Sequence, residues 1–371
     1  MNTPSNRIKE ITHTAIMGLQ RFYHNYDKIF PYTAKINNDV DFYAQGYSFR
    51  YAVISHIGIS KWLIYHPHDK QHLPTLWGSI LSEISKVDDI GDIALSLWAG
   101  CEKPTDTDIE IIIDKLINLW CAQKEGCNSV ELGWILKACL MAIELNPESY
   151  HKLISVMKES YVRLCDHYNP TAQLFRRHKR KGFIQKIYGQ IACFADQVYP
   201  IIAMSHYGKL YDDHNANTIS DHVVNKICEY QGKYGQWMWH YDVMHNRLCE
   251  EYPVFSVHQD AMAPMAIFAS DEVNHQDHGE AIELGMQWIF GNNELGKNLV
   301  LQEQGIIWRD IERVEPQKRT RNIKGLCCTY GIKSLGDRLT KKYMGNFKIN
   351  YECRPYHLGW ILYAWADKLK T

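Results

Sequence analysis

Leu132-Gly133-Trp134-Ile135-Leu136-Lys137-Ala138 returns near the other end of the chain as Leu358-Gly359-Trp360-Ile361-Leu362-Tyr363-Ala364. Both copies are apolar almost all round and both open a stretch with helical spacing, so each reads as the first turns of a buried helix. Two such copies are the signature of a repeated supersecondary unit. Working outward, the same alternation of an amphipathic helix followed by a more apolar one recurs six times. The pairs are Asn6 to Tyr26 with Ser48 to Tyr65, Leu76 to Lys86 with Asp88 to Ala99, Asp108 to Gln123 with Ser129 to Leu145, Glu148 to Cys165 with Phe183 to His206, Ser220 to Tyr230 with His258 to Val273, and Gly279 to Phe290 with Pro355 to Lys370. Six outer–inner hairpins predict an all-α, (α/α)6 toroid in a single domain spanning residues 1–371. Strand signals are confined to short runs near Tyr252 to Val257 and Gly305 to Trp308.

The bulk properties agree with one large core and exclude several classes of function. The 371 residues are 46% hydrophobic and 12% aromatic, with no low-complexity run or Pro/Gly/Ser linker to divide them. A net charge of -1 and a pI near 7.0 give no general attraction for nucleic acid. The first residues, MNTPSNRIKEITHTAIMGL, are broken by charges, and no stretch reaches the ~20 apolar residues of a membrane span, so a cytoplasmic protein is expected. Eleven cysteines, scattered apart from Cys327-Cys328, fit reduced core thiols better than a disulfide framework. No CxxC or HExxH occurs, and no metal site is expected from such signatures.

In a closed ring the inner helices point one end at a shared cavity, so the polar residues at their starts are the ones to collect. These are Ser48 and Arg50, Asp89 and Asp92, Glu131, Tyr188 and Gln190, His258 and Asp260, and Tyr356 and His357. Glu131 and His357 stand at the same place, immediately before the repeated Leu-Gly-Trp-Ile-Leu. Acids at helix N-termini also stabilise the helix dipole by ~0.3–1 kcal/mol with no further role.

The connection Gln231 to Ala266 adds Trp237, Trp239, His240, Tyr241, Asp242 and Tyr252 between two helices. A carboxylate and an imidazole on opposite sides of one substrate supply an acid and a base. The candidate catalytic set is therefore Asp260, His258, His240, Asp242, Glu131 and His357, with Asp260 the first choice as acid because an aromatic cavity would hold it protonated. The simpler reading is that His258 and Asp260 cap a helix. Arg50, Asp92, Gln190, Trp239, Tyr241, Tyr252 and Tyr356 are the candidate binding residues, since aromatic faces pack on apolar or sugar surfaces. No cofactor is called for, although Asp88-Asp89-Ile90-Gly91-Asp92 matches a DDxxD magnesium motif; its place at a helix start favours capping. Arg176, Arg177, Lys179, Arg180 and Lys181 form the one strong basic cluster, able to meet an anionic surface and equally able to be a solvated loop.

Gln231, Gly235 and Trp237, with Ile227 before them, resemble the Q-x-x-x-G-x-W core of the QW motif of squalene cyclases, and Trp288 to Asn293 resembles a degenerate second copy. The resemblance implies the terpenoid cyclase and protein prenyltransferase superfamily, a barrel of inner and outer helices, and acid–base chemistry on an isoprenoid or other apolar small molecule. The chain departs from that family in having neither the DxDD acid motif of the cyclases nor the Asp-x-Cys zinc pair of the prenyltransferases. The first alternative is a carbohydrate-active (α/α)6 epimerase, glycoside hydrolase or lyase, which the polar residues at the inner-helix starts favour. The second is a non-catalytic toroid that binds a protein or lipid partner.

Overall fold

Glycines at the faces where inner helices meet allow these helices to approach backbone to backbone. A Cβ placed on Gly58 or Gly359 would collide with the other helix's main chain, and one on Gly133 would strike the backbone of Tyr199 and Pro200. The glycines of the two heptapeptide copies therefore sit at inner-helix contacts, which accounts for the repeat in packing terms.

The computed structural model describes residues 4–24, 30–37, 41–102, 109–148, 150–178, 189–314, 323–328, 330–340 and 346–369. Among the described residues twelve helices build the barrel: α1 Pro4–His24, α2 Phe49–Tyr65, α3 Trp77–Glu83, α4 Ile90–Glu102, α5 Ile109–Gln123 and α6 Ser129–Leu145. The second half continues with α7 Ile154–His167, α8 Ala195–Tyr211, α9 His214–Glu229, α10 Ala263–Asn274, α11 Gly279–Ile289 and α12 Pro355–Trp365. The even-numbered helices pack in sequence from α2 to α10, and α12 touches both α10 and α2, which closes the ring. The odd-numbered helices stand outside, each against the inner wall. The (α/α)6 toroid read from the hairpins is the fold. No helix among the described residues is long and apolar enough to cross a membrane.

The inner face is filled. Trp98, Tyr199, Trp360 and Tyr363 meet ring to ring, with Trp98 and Tyr199 each within 6.0 Å of Trp360 and the Trp360 indole donating to the Tyr199 hydroxyl at 3.1 Å. This aromatic plug ties α4, α8 and α12 together in the interior. Offset and edge-on ring contacts of this kind add ~0.5–1.5 kcal/mol each beyond the area they bury.

Among the described residues twelve short strands lie in the connections that lead from an outer helix to the next inner one, so they all gather at the end where inner helices begin. The first four are β1 Thr33–Asn37, β2 Asp41–Gln45, β3 Tyr168–Asn169 and β4 Leu174–Phe175, and two later ones are β9 Val300–Leu301 and β10 Ile306–Ile307. Two of the sheets have three strands, β5 Ile191–Cys193 with β6 His240–Asp242 and β7 Arg247–Glu250, and β8 Val254–Phe255 with β11 Asp310–Arg313 and β12 Phe347–Asn350. Only β8 and a strand at Ile306–Ile307 fall where the sequence predicts strands. The others are two to five residues long, too short for a period-two pattern to rise above its surroundings.

Two inner helices open differently from the sequence reading. The fourth begins at Ala195 rather than Phe183, because β5 precedes it. The fifth opens as a π-helical turn, His258–Met262, before α10. Pro264 lacks the N–H that would bond the Asp260 carbonyl one turn earlier, and the Trp365 indole supplies that bond instead at 2.6 Å.

Candidate functional site

At the strand-lined end, three neighbouring inner helices present a charged group from their first turn. Ser48 caps α2 by accepting from the Tyr51 amide at 3.3 Å, which sets Arg50 at the mouth. Asp89 caps α4 by accepting from the Asp92 amide at 3.0 Å. Asn128 and Glu131 make a reciprocal capping box on α6, each side chain accepting from the other's backbone N–H. Arg50 gathers this set: it donates to Asp92 through Nε and to Asp89 through NH2, the second at 2.9 Å, and its guanidinium lies 5.2 Å above the Trp134 ring. Burial alone would lower the Arg50 pKa, but Asp92, Asp89 and Glu131 together hold it above its usual value. Burial raises Asp92 against the pull of Arg50, and burial raises Glu131 against its backbone bond to Asn128. Both carboxyls are thereby shifted toward the protonated form that an acid catalyst uses.

A second lobe adjoins the first through Tyr199, which feels the charge of Arg50 and in turn acts on Tyr356. Tyr51 from α2 meets Tyr356 from α12 at 4.5 Å and stacks on Tyr32 at 5.2 Å, with Arg354 on the Tyr32 ring at 3.8 Å. Arg309 lies 5.3 Å over Phe255. Next to it, Asp310 is almost wholly buried; burial, against the attraction of Arg309, pushes its carboxyl up to about 7. Asn350 donates to Asp310 Oδ2 at 3.1 Å, while Oδ1 has no hydrogen-bond partner among the described residues. Trp239 and His240 stack at 4.0 Å, and Trp239 meets Phe255 edge-on at 5.5 Å. The mouth is thus a mixture of ionised groups and ring faces.

The structure scatters the sequence candidates. Arg50, Asp92, Glu131 and Tyr356 stand at the mouth, and Trp239 and His240 beside the second lobe. Asp260 and His357 are brought together but sealed from solvent, with His357 Nε2 2.8 and 2.9 Å from the two Asp260 oxygens. His258 is buried between Phe194 at 4.6 Å and Phe255 at 5.2 Å. Asp242 is fully buried and bound to its own strand hairpin, accepting from Arg247 at 3.0 Å and pairing with His245 at 2.8 Å. Tyr241 is a core residue donating to the Met238 carbonyl, and Tyr252 donates to Glu294 at 2.6 Å beneath Arg313. Gln190 accepts from Arg176 at 3.2 Å. Arg177 is exposed, and Lys179, Arg180, Lys181 and Tyr188 lie outside the described residues. Among the described residues no three His, Cys, Asp or Glu side chains are arranged to hold a metal ion; at Asp88-Asp89-Asp92 the cation between Asp89 and Asp92 is Arg50.

Several groups at the mouth have no counterpart in the sequence reading. Trp134 belongs to the repeat and reads there as core. Asp196 is the first-turn acid of α8, fully buried and accepting from the Cys193 amide at 2.8 Å. With a helix predicted from Phe183, it falls mid-helix and escapes notice. Arg309 and Asp310 follow the short strand signal at Gly305 to Trp308 and are brought in by sheet pairing alone, which no local pattern announces.

Burial lowers the His258 pKa to about 3, with His357 and His240 adding to the effect. A histidine held neutral binds fewer protons folded than unfolded, so stability falls as pH drops from 6.5 toward 3, by on the order of a few kcal/mol. Asp310 has the opposite slope, since its folded form keeps a proton up to about 7. Acid unfolding of wild type and His258→Phe, followed by circular dichroism, should therefore show a stability difference that changes with pH below 6.5. A constant difference from pH 7 to 4 would assign His258 no part in acid sensitivity.

No protein-family model and no curated protein matches the chain. Solved structures do. An unsaturated glucuronyl hydrolase specific for heparin superposes with a TM-score of 0.59 at 13% identity, covering 98% of both chains. The unsaturated glucuronyl hydrolase of Streptococcus agalactiae gives 0.61 at 11% identity, covering 100% of this chain and 93% of its own. A glycosyl hydrolase family 88 protein from Bacteroides vulgatus gives 0.57 at 10% identity, covering 99% of each. The fold is the (α/α)6 toroid of these hydrolases.

That finding corrects the resemblance to terpenoid cyclases and protein prenyltransferases, and with it the expectation of an isoprenoid substrate. The residues that suggested it have a local explanation. Gln231 Nε2 donates to the Gly235 and Ala281 carbonyls at 2.7 and 2.8 Å, tying the end of α9 to α11, and Trp237 fills the space left by Gly285. In the second stretch, Trp288 donates to Glu294 at 2.9 Å and Asn293 bonds the Trp288 and Lys297 carbonyls. Any barrel that must bind outer-helix ends to one another has use for such clamps, whatever its chemistry.

Proposed function

We propose that this protein is a carbohydrate-active enzyme that hydrolyses an unsaturated uronide, an oligosaccharide whose terminal acidic sugar carries a ring double bond. The observation that carries the reading is the cluster at the mouth, in which Arg50 joins Asp89 and Asp92 beside Glu131 and above Trp134. A hydrocarbon substrate calls for a dry aromatic pocket; this mouth offers ion pairs, hydrogen-bonding groups and a few ring faces, the chemistry of sugar recognition. In support, one of the fold neighbours has been crystallised with dGlcA-GalNAc6S.

In such a substrate the alkene and ring oxygen form an enol ether. Asp92, held toward its protonated form, protonates the alkene; Glu131 activates the water that adds to the neighbouring carbon; the hydrated ring then opens and releases the attached sugar. Arg50 fixes Asp92 and acts on Glu131 through its charge, and the buried Trp134 ring supports the guanidinium from below. Trp239 and His240, with Tyr51 and Tyr356, border the substrate on the other lobe, and Arg309 supplies a cation for its carboxylate.

The test is turnover by the purified protein of unsaturated disaccharides prepared with polysaccharide lyases, alongside their saturated counterparts and isoprenoid diphosphates. The expected result is loss of the alkene's ultraviolet absorbance with release of the second sugar. Absorbance that persists, or turnover of the isoprenoid instead, overturns the reading.

A further inference from the structure

At the opposite end of the ring, beyond the aromatic plug, a cavity of about 350 Å3 opens where the inner helices finish. Lys137, Ser205, His206, Phe268 and Tyr363 are among its lining. The lysines of its rim are paired with carboxylates: Lys209 with Glu272 at 2.6 Å, and Lys61 and Lys368 with Asp367 at 3.5 and 2.9 Å. Lys137 differs. Its Nζ lies 3.0 Å from His206 Nδ1, and His206 Nε2 is hydrogen-bonded to Glu144. A carboxylate only accepts, so Nε2 carries the imidazole proton, Nδ1 accepts, and Lys137 donates to it. A nucleophile bonded to a base that is oriented by a third group is the arrangement of an activated side chain.

We propose that this cavity is a second site, in which the Lys137 amine condenses with the carbonyl group of a small aldehyde to form an imine. The amine reacts in its free-base form, its proton given up to solvent, while His206 Nδ1, oriented by Glu144, accepts one of the remaining N–H bonds and aims the nitrogen lone pair. The amine adds to the carbonyl carbon, a C–N bond forms, and the C=O electron pair moves to oxygen, which takes a proton from the new ammonium nitrogen. That hydroxyl takes a second proton from solvent and departs as water, which leaves the protonated imine, with no oxidant or reductant consumed. Phe268 and Tyr363 give the carbon chain an apolar wall.

The electrostatic setting agrees with this role. Burial lowers the Lys137 pKa to about 8, opposed by Glu102 on α4 and Glu144 on α6 and reinforced by Lys61 on α2. At pH 7.5 about one Lys137 in four is then the free amine, against about one in a thousand for an ordinary lysine. His206, from α8, is itself lowered to about 4 by burial and by Lys137, so it stays neutral and its Nδ1 lone pair accepts the amine's hydrogen bond.

The site is independent of the mouth, and its test is independent of the proposed hydrolase activity. Folded protein is exposed briefly to butyraldehyde and cyanoborohydride at pH 7.5, and the alkylated lysines are mapped by peptide mass spectrometry. Lys137 is expected to label at least ten-fold faster than Lys209 and Lys368. His206→Gln should remove that advantage, whereas Asp92→Asn should leave it intact. Labelling of Lys137 no faster than its two rim neighbours overturns the site, and an undiminished advantage in His206→Gln overturns the positioning role of His206.

Discussion

Asp92→Asn is expected to lower kcat on an unsaturated uronide by about 10²–10⁴-fold, the usual contribution of a positioned general acid, with a much smaller change in KM. Asparagine keeps the size of the side chain and an oxygen for Arg50, and the cap of α4 belongs to Asp89, so the helix start survives the substitution. What it removes is the proton. Asp89→Asn is the matched control: Asp89 is exposed, its bonds are to the Asp92 amide and Arg50, and the expected loss is about 1 kcal/mol of helix stability or less with kcat nearly intact. Steady-state kinetics on both variants, with melting temperatures beside them, decides the matter. An Asp92→Asn enzyme within a few-fold of wild type would take the proton away from Asp92 and leave Glu131 as the acid.

The ring itself was readable from hydrophobic periodicity, because an inner helix covered on all sides has to be apolar all round and an outer one does not. All six hairpins, from α1–α2 to α11–α12, overlap the predicted pairs, although α9 begins six residues before its predicted start and α8 runs five past its predicted end. The mouth was readable only where a charged residue stands in a correctly placed first turn, as Arg50, Asp92 and Glu131 do. Asp196 was hidden by a helix start placed twelve residues early, and Asp310 by a strand of four residues whose position depends on long-range pairing. Chemistry was less legible than geometry. A glutamine, glycine and tryptophan that clamp an outer-helix end look the same in sequence whether the barrel encloses a hydrocarbon or a sugar.

The residue that sequence chemistry put first, Asp260, is expected to act on stability. Its carboxylate is fully buried, both oxygens are within 2.9 Å of His357 Nε2, and the pair links the π-helical turn before α10 to the first turn of α12, the seam where the chain closes the ring. Burial raises the Asp260 pKa and His357 opposes it, so each group is held in place by the other. Asp260→Ala leaves the His357 ring nitrogen without its acceptor in a closed core, and loss of one partner from a buried pair costs about 3–5 kcal/mol. The backbone bond from Trp365 survives, since it uses the carbonyl of residue 260. Urea unfolding should therefore show a midpoint well below wild type with an unchanged slope, and His357→Ala should give a comparable loss. Because the two variants break one interaction, their effects should fall short of additive when combined. A folded, equally stable and inactive Asp260→Ala protein would instead place this carboxylate in contact with substrate and move the reaction from the mouth to the closing seam.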